Sequence, residues 1–231
     1  MPKISVIIPV YGVELYIEKC ARSLFGQSLE DMEFIFVDDC TKDNSIHVLK
    51  QVLEEYPYRK SQVKILRNEQ NIGLPLTRKK GLSAATGEYI AHCDSDDWVD
   101  LSLYESMYNK AILEQADIVV CDFITLWQGK RTLRKTIHST DLKEYTCNLL
   151  RQVDSLSVWN KLYKRQLYGN DIKFPVFNMG EDMATTLPSI SSPQRTTCGR
   201  TSTWVSSPTW PRAERPTPPN FTSSTMRTTT N

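Results

Sequence analysis

A chain of 231 residues with 40% hydrophobic and 24% charged residues carries enough apolar sequence for a sizeable core, and these ordinary values exclude collagen-like, wholly disordered and disulfide-scaffold classes. A formal net charge of +1 argues against a protein built around nucleic acid. The balance hides a split, because residues 189–231 hold five Arg, no Lys and one acid, Glu214, leaving residues 1–188 with a net charge of −3.

Ile4 to Val10 is a short apolar run rich in β-branched residues, ended by Pro9 and Gly12, and predicts a buried strand. Tyr16, Ile17, Cys20, Ala21, Leu24 and Phe25 then recur at helical spacing, with Glu18, Lys19 and Arg22 left outside. Phe34 to Val37 predicts a second strand that runs into Asp38 and Asp39, followed by a helix marked by Val48, Leu49, Val52, Leu53 and Tyr56. A third strand is expected at Val63 to Leu66 and a helical stretch from Leu74 to Ala85. Tyr89 to Ala91 predicts a fourth strand running into Asp94, then a helix carries Tyr104, Met107, Tyr108 and Ala111, and Ile118 to Val120 predicts a fifth strand. Residues 141–151 and 157–168 read as helical or mixed, and past Pro188 the density of Pro, Ser and Thr leaves no periodicity to assign.

Strand and helix thus alternate for about 120 residues, with strands apolar on both faces. That is the pattern of an α/β fold, a mostly parallel central sheet flanked by helices. Ligands of such sheets bind beyond the carboxyl ends of the strands, and two of those ends carry acids: Asp38-Asp39 and Asp94-Ser95-Asp96-Asp97. Carboxylates one residue apart can converge on a hard divalent cation, which takes the rest of its shell from water and phosphate oxygens. Asp doublets in loops also serve turns and caps, so position at a strand end is what favours a ligand. Asp38 or Asp39 could likewise accept hydrogen bonds from a nucleobase imide or a ribose hydroxyl. No G-x-G-x-x-G follows the first strand and no G-x-x-x-x-G-K-[ST] occurs, so dinucleotide and P-loop readings lose their support. His92, inside an apolar strand, reads as a packed residue, and Arg131, Arg134 and Lys135 read as a solvated hairpin face.

In order, the chain presents Ile4-Ser5-Val6-Ile7-Ile8-Pro9-Val10-Tyr11, Val37-Asp38-Asp39, Asn71-Ile72-Gly73 with Thr77-Arg78, Gly87-Glu88-Tyr89-Ile90 and Asp94-Ser95-Asp96-Asp97. This ordered set resembles the family 2 glycosyltransferases, small bacterial-type members with the GT-A (nucleotide-diphospho-sugar transferase) fold. Trp159-Asn160-Lys161-Leu162-Tyr163 and Gly180-Glu181-Asp182 resemble the acceptor-side half and extend the match to about residue 187.

The resemblance implies an inverting, metal-dependent transfer of a sugar from a UDP-sugar to a hydroxyl of a glycan or lipid-linked glycan. It implies that Pro9, Val10, Tyr11 and Glu14 form the nucleotide floor, that Asp39 accepts from uracil, and that Arg78 lies near the nucleotide. Asp94 and Asp96 are implied as ligands of Mn²⁺ or Mg²⁺, Asp94 also as a ribose contact, and Asp182 as the general base. The alternative is a nucleotide-sugar-binding module lacking turnover because the C-terminal acceptor region is missing. No nucleic-acid partner is expected.

The expected organisation is a glycosyltransferase domain over 1–187, with a nucleotide-sugar half (1–123) and an acceptor-side half (124–187), followed by a Ser/Thr/Pro/Arg-rich tail at 188–231 read as disordered or out of frame. The six scattered Cys form no C-x-x-C pair, and no apolar run approaches the ~20 residues of a membrane span. A cytoplasmic protein is expected, with peripheral association at the inner face of the membrane among the expectations.

Overall fold

The computed structural model describes residues 1–128, 130–136, 142–151, 153–169, 174, 175 and 182, and the backbone at 196–198 and 204–206. In chain order the elements are β1 (Ile4–Val10), α1 (Ile17–Phe25), β2 (Met32–Asp38), α2 (Ser45–Glu54), β3 (Val63–Arg67), α3 (Leu74–Ala84), β4 (Tyr89–His92), β5 (Trp98–Val99), α4 (Leu103–Glu114), β6 (Ile118–Val120), β7 (Phe123–Trp127), β8 (Lys130–Arg134), α5 (Leu142–Leu150), β9 (Lys161–Lys164), β10 (Thr196–Cys198) and β11 (Trp204–Ser206).

Seven strands form the main sheet in the order β10-β6-β9-β4-β1-β2-β3, and a second sheet runs β5-β11-β7-β8. In the main sheet β1 pairs in parallel with both β2 and β4, and β2 with β3. Every residue of β1 and β2 is buried, as their two-sided apolar sequences require. On one face α1 buries Ile17, Cys20, Ala21, Leu24 and Phe25, and the Phe25 ring meets Phe34 and Phe36 edge-on at 5.6 and 5.9 Å. The Ile, Leu and Phe side chains each contribute about 1.5–3 kcal/mol by leaving water. On another face α3 comes so close that a Cβ at Gly81 would stand 2.5 Å from Ile7 Cγ2, so only glycine lets this helix lie against β1. Arg59 fixes the α1–β2 connection by donating to the carbonyls of Phe25, Gln27, Leu29 and Glu30.

The reading of 157–168 as helical or mixed is corrected at its centre. Lys161–Lys164 is a strand antiparallel to both β4 and β6. Leu162 joins the main core, whereas its neighbour Tyr163 joins a second cluster with Ile118, Val120, Tyr145 and Leu149. Burying adjacent residues on opposite faces is a strand's period, and four residues were too few to reveal it in the sequence. Within 188–231, where the sequence gives no assignment, β10 pairs with β6 and β11 bridges β5 and β7. The remainder of the expected tail lies outside the described residues. No helix among the described residues is long and apolar enough to cross a membrane.

Candidate active site

The carboxyl ends of β1, β2 and β4 meet at one rim, with β1 in the middle. Pro9 and Val10 are buried at the end of β1, Tyr11 is exposed, and the Asp39 N–H donates to the Val10 carbonyl at 3.0 Å. Cys40 then turns the chain at a φ of 60°, an uncommon left-handed geometry for a residue with a side chain. Glu14 accepts from the Asn44 N–H at 2.9 Å, and Asp43 accepts from the Glu14 and Ser45 N–H groups and the Thr41 and Ser45 hydroxyls. Burial raises the Asp43 pKa, but these donors outweigh it and leave it below the ordinary value. The loop beneath Tyr11 and Glu14 is therefore fixed by its own acids.

Asp39 is a buried anchor. Its Oδ1 accepts from Asn68 Nδ2 at 2.8 Å and the Ile72 N–H at 2.9 Å, and its Oδ2 from the Gly73 N–H at 3.0 Å. Gly73 sits at φ +85°, which favours glycine, and opens α3. Of roughly four lone-pair sites on the carboxylate, three are taken by donors among the described residues.

Arg78, on α3, is buried to 2% exposure. Its Nη2 donates to Asp94 Oδ1 at 2.7 Å and its Nη1 to Asp182 Oδ1 at 3.0 Å. One guanidinium thus joins the end of β4 to Asp182, a residue 104 positions after Arg78 itself. Burial raises the Asp182 pKa above its ordinary value, Arg78 opposes that, and the Asp94 charge adds to it. The Val158 N–H and the Lys161 charge also favour the ionised form of Asp182. Lys161 is itself buried, its ammonium held by the carbonyls of Ser155 and Ser157 and by Asn160 Oδ1.

Asp96 is an undercompensated acid at the rim. Burial, with the neighbouring Asp94 charge, pushes its pKa up to about 6. Two hard carboxylates, Asp94 and Asp96, suit a divalent cation that draws its other ligands from phosphate and water, and neutralising their mutual repulsion is what such an ion would do there. Among the described residues no cluster of three or more His, Cys, Asp or Glu is arranged to hold a metal. His92 lies within the sheet and hydrogen-bonds through Nε2 with the Tyr168 hydroxyl at 2.9 Å. Burial and the Arg78 charge hold its pKa well below 6.5, which keeps it neutral and packed.

The structure therefore brings the expected residues into two adjoining sets: Pro9, Val10, Tyr11, Glu14 and Asp39 beside β2, and Arg78, Asp94, Asp96 and Asp182 beside β4. Gly180 and Glu181 lie outside the described residues. Asn68 was not singled out by the sequence reading, and Lys161 was quoted there only within the 159–163 match, without a role of its own. Asn68 follows a strand that points at the rim, which was the available signal; a buried Lys gives none.

The family model for glycosyl transferase family 2 matches residues 5–172. The chain is 32% identical over 193 residues to glycosyltransferase GlyA of Streptococcus pneumoniae, covering 78% of this chain and 27% of that protein. It is 31% identical over 175 residues to the Bacillus subtilis glycosyltransferase EpsJ, covering 73% and 49%. The chain thus spans half or less of the length of these curated relatives. Solved structures share its fold, two of them as follows. S. aureus TarS in complex with UDP superimposes with a TM-score of 0.74 at 23% identity, covering 89% of this chain and 60% of that one. A Pyrobaculum calidifontis mannosyltransferase in complex with GDP-Man and Mn²⁺ gives 0.63 at 18% identity, covering 89% and 56%.

Proposed function

The chain belongs to glycosyl transferase family 2, and from that membership we propose that it transfers a sugar from a UDP-sugar to a hydroxyl of a glycan or lipid-linked glycan, with inversion and with a divalent metal. The observation that carries the reading is Arg78, which ties Asp94 of the acid doublet to the distant Asp182. It sets a donor-side acid and a candidate base on the two arms of one buried cation.

Pro9, Val10, Tyr11 and Glu14 form the floor under the nucleotide, and the remaining lone pair of Asp39 accepts from the uracil imide N–H. Asp94, oriented through Oδ1 by Arg78, presents its other oxygen to the ribose or the metal, and Asp96 is the principal metal ligand. When bound, Mn²⁺ or Mg²⁺ neutralises charge developing on the nucleoside diphosphate leaving group. Asp182 takes the proton of the acceptor hydroxyl as it attacks the anomeric carbon opposite that leaving group, and one displacement inverts the centre. The raised pKa of Asp182 makes it a stronger base than an ordinary carboxylate.

Asp182→Asn tests the division of labour. UDP binding is expected to persist while transfer, read as UDP release from donor plus acceptor, falls by about 10²–10⁴-fold. Loss of UDP binding to the same degree contradicts it. UDP binding by the parent chain without turnover on any donor returns the binding-module reading.

A further inference from the structure

Several basic side chains on and around the main sheet sit on carboxylates: Lys3 on Asp31, Arg22 on Glu18 and Glu55, Lys64 on Glu33, Arg67 on Asp38, Lys164 on Asp117. The β7–β8 hairpin is different. Residues 123–135 include Lys130, Arg131, Arg134 and Lys135 and no Asp or Glu. All four cations are exposed, and none forms an ion pair among the described residues.

These charges reach back to the acid rim. Trp98 directly follows Asp97, and Lys19 Nζ stands 3.1 Å from the centroid of its indole ring. Burial, then repulsion from Arg131, lowers the Lys19 pKa, and no acid offsets that repulsion. Trp98 begins β5, which lies in the same sheet as the hairpin. A run of cations without ion-pair partners among the described residues therefore starts at Lys19 beside Trp98 and continues along the ribbon.

We propose that this hairpin, with Lys19 and Trp98, is the docking surface for a polyanionic acceptor: a glycan or polyol chain carrying phosphodiesters. The proposal rests on the donor reading above and supplies the class of its acceptor. Charge complementarity selects an anion. A bilayer fits less well, because it needs one continuous apolar face. In the ribbon's register Trp127 stands opposite Lys130 and Leu133 opposite Ile124, three positions on, so the exposed Trp127 and Leu133 lie on opposite faces. The indole of Trp98 adds an aromatic face beside the cations.

The test measures binding of a synthetic glycerol-phosphate oligomer, a neutral maltose oligomer of equal length and phosphatidylglycerol vesicles to the full chain, at low and raised salt. UDP with Mn²⁺ is assayed in parallel by its effect on the thermal midpoint. The glycerol-phosphate oligomer is expected to bind, to weaken with salt, and to lose about tenfold in affinity in the Lys130→Glu/Arg131→Glu variant, with the UDP effect unchanged. Equal binding of the neutral oligomer, unchanged affinity in the variant, or binding to vesicles alone overturns the proposal. Absence of the UDP effect in the parent chain overturns the donor reading, and the oligomer result decides this one by itself.

Discussion

The two ends of the parallel sheet treat the same chemical group in opposite ways. At the amino end Glu33 is buried, and burial raises its pKa, yet Lys64, the Ser5 hydroxyl and both the N–H and hydroxyl of Thr86 outweigh that and leave it below 4.5. At the carboxyl end Asp96 is pushed up to about 6 by burial and by Asp94, with no cation among the described residues to offset them. A carboxylate that serves the fold is saturated by the fold. One left undercompensated at a strand end is a candidate for binding a charge from outside, as proposed for Asp96.

Arg78 is where that contrast breaks most sharply. Arg78→Met leaves Asp94 and Asp182 without their shared cation, and urea denaturation is expected to show a loss of about 3–5 kcal/mol. Glu33→Gln comes next, about 2–3 kcal/mol less stable, because donors placed for a carboxylate then face an amide. In the parent chain the Glu33 contribution is fully present above its ordinary 4.5 and is lost as pH falls through its lower folded value. Asp96→Asn is expected to do the reverse. Its folded pKa is raised, so its ionisation costs the metal-free chain stability as pH climbs from 3.8 to about 6, and the substitution stabilises by about 1–2 kcal/mol at neutral pH. Thermal midpoints of metal-free protein across that range check both signs. Smallest is Tyr168→Phe, which removes the His92 partner at a cost of about 1 kcal/mol and is read in the same unfolding assay.

Much of this was legible in the residues themselves. The two-sided apolar runs of β1, β2 and β4 and the helical spacing in α1 give a parallel sheet with acids at its carboxyl ends. Strand β9 was not legible, since Lys161–Lys164 is short and begins and ends on lysine. Its place between β4 and β6 depends on burial from both faces, a tertiary fact. Arg78 was marked for the nucleotide side, but its second arm, reaching Asp182, follows only from α3 packing on β1 through Gly81. Asp39 was read as a ligand contact, and the structure shows it as the anchor of the 68–73 loop, a role that no spacing encodes. Strands β10 and β11, three residues each, borrow their conformation from the edges they pair with.

The undercompensated rim is tested most directly by titrating UDP into the parent chain and into Asp96→Ala, with and without Mn²⁺, by calorimetry. The account predicts that the parent binds UDP only with Mn²⁺, and that Asp96→Ala loses the Mn²⁺-dependent binding while remaining folded. Equal UDP affinity in the two proteins, or in the parent with and without the metal, would contradict it.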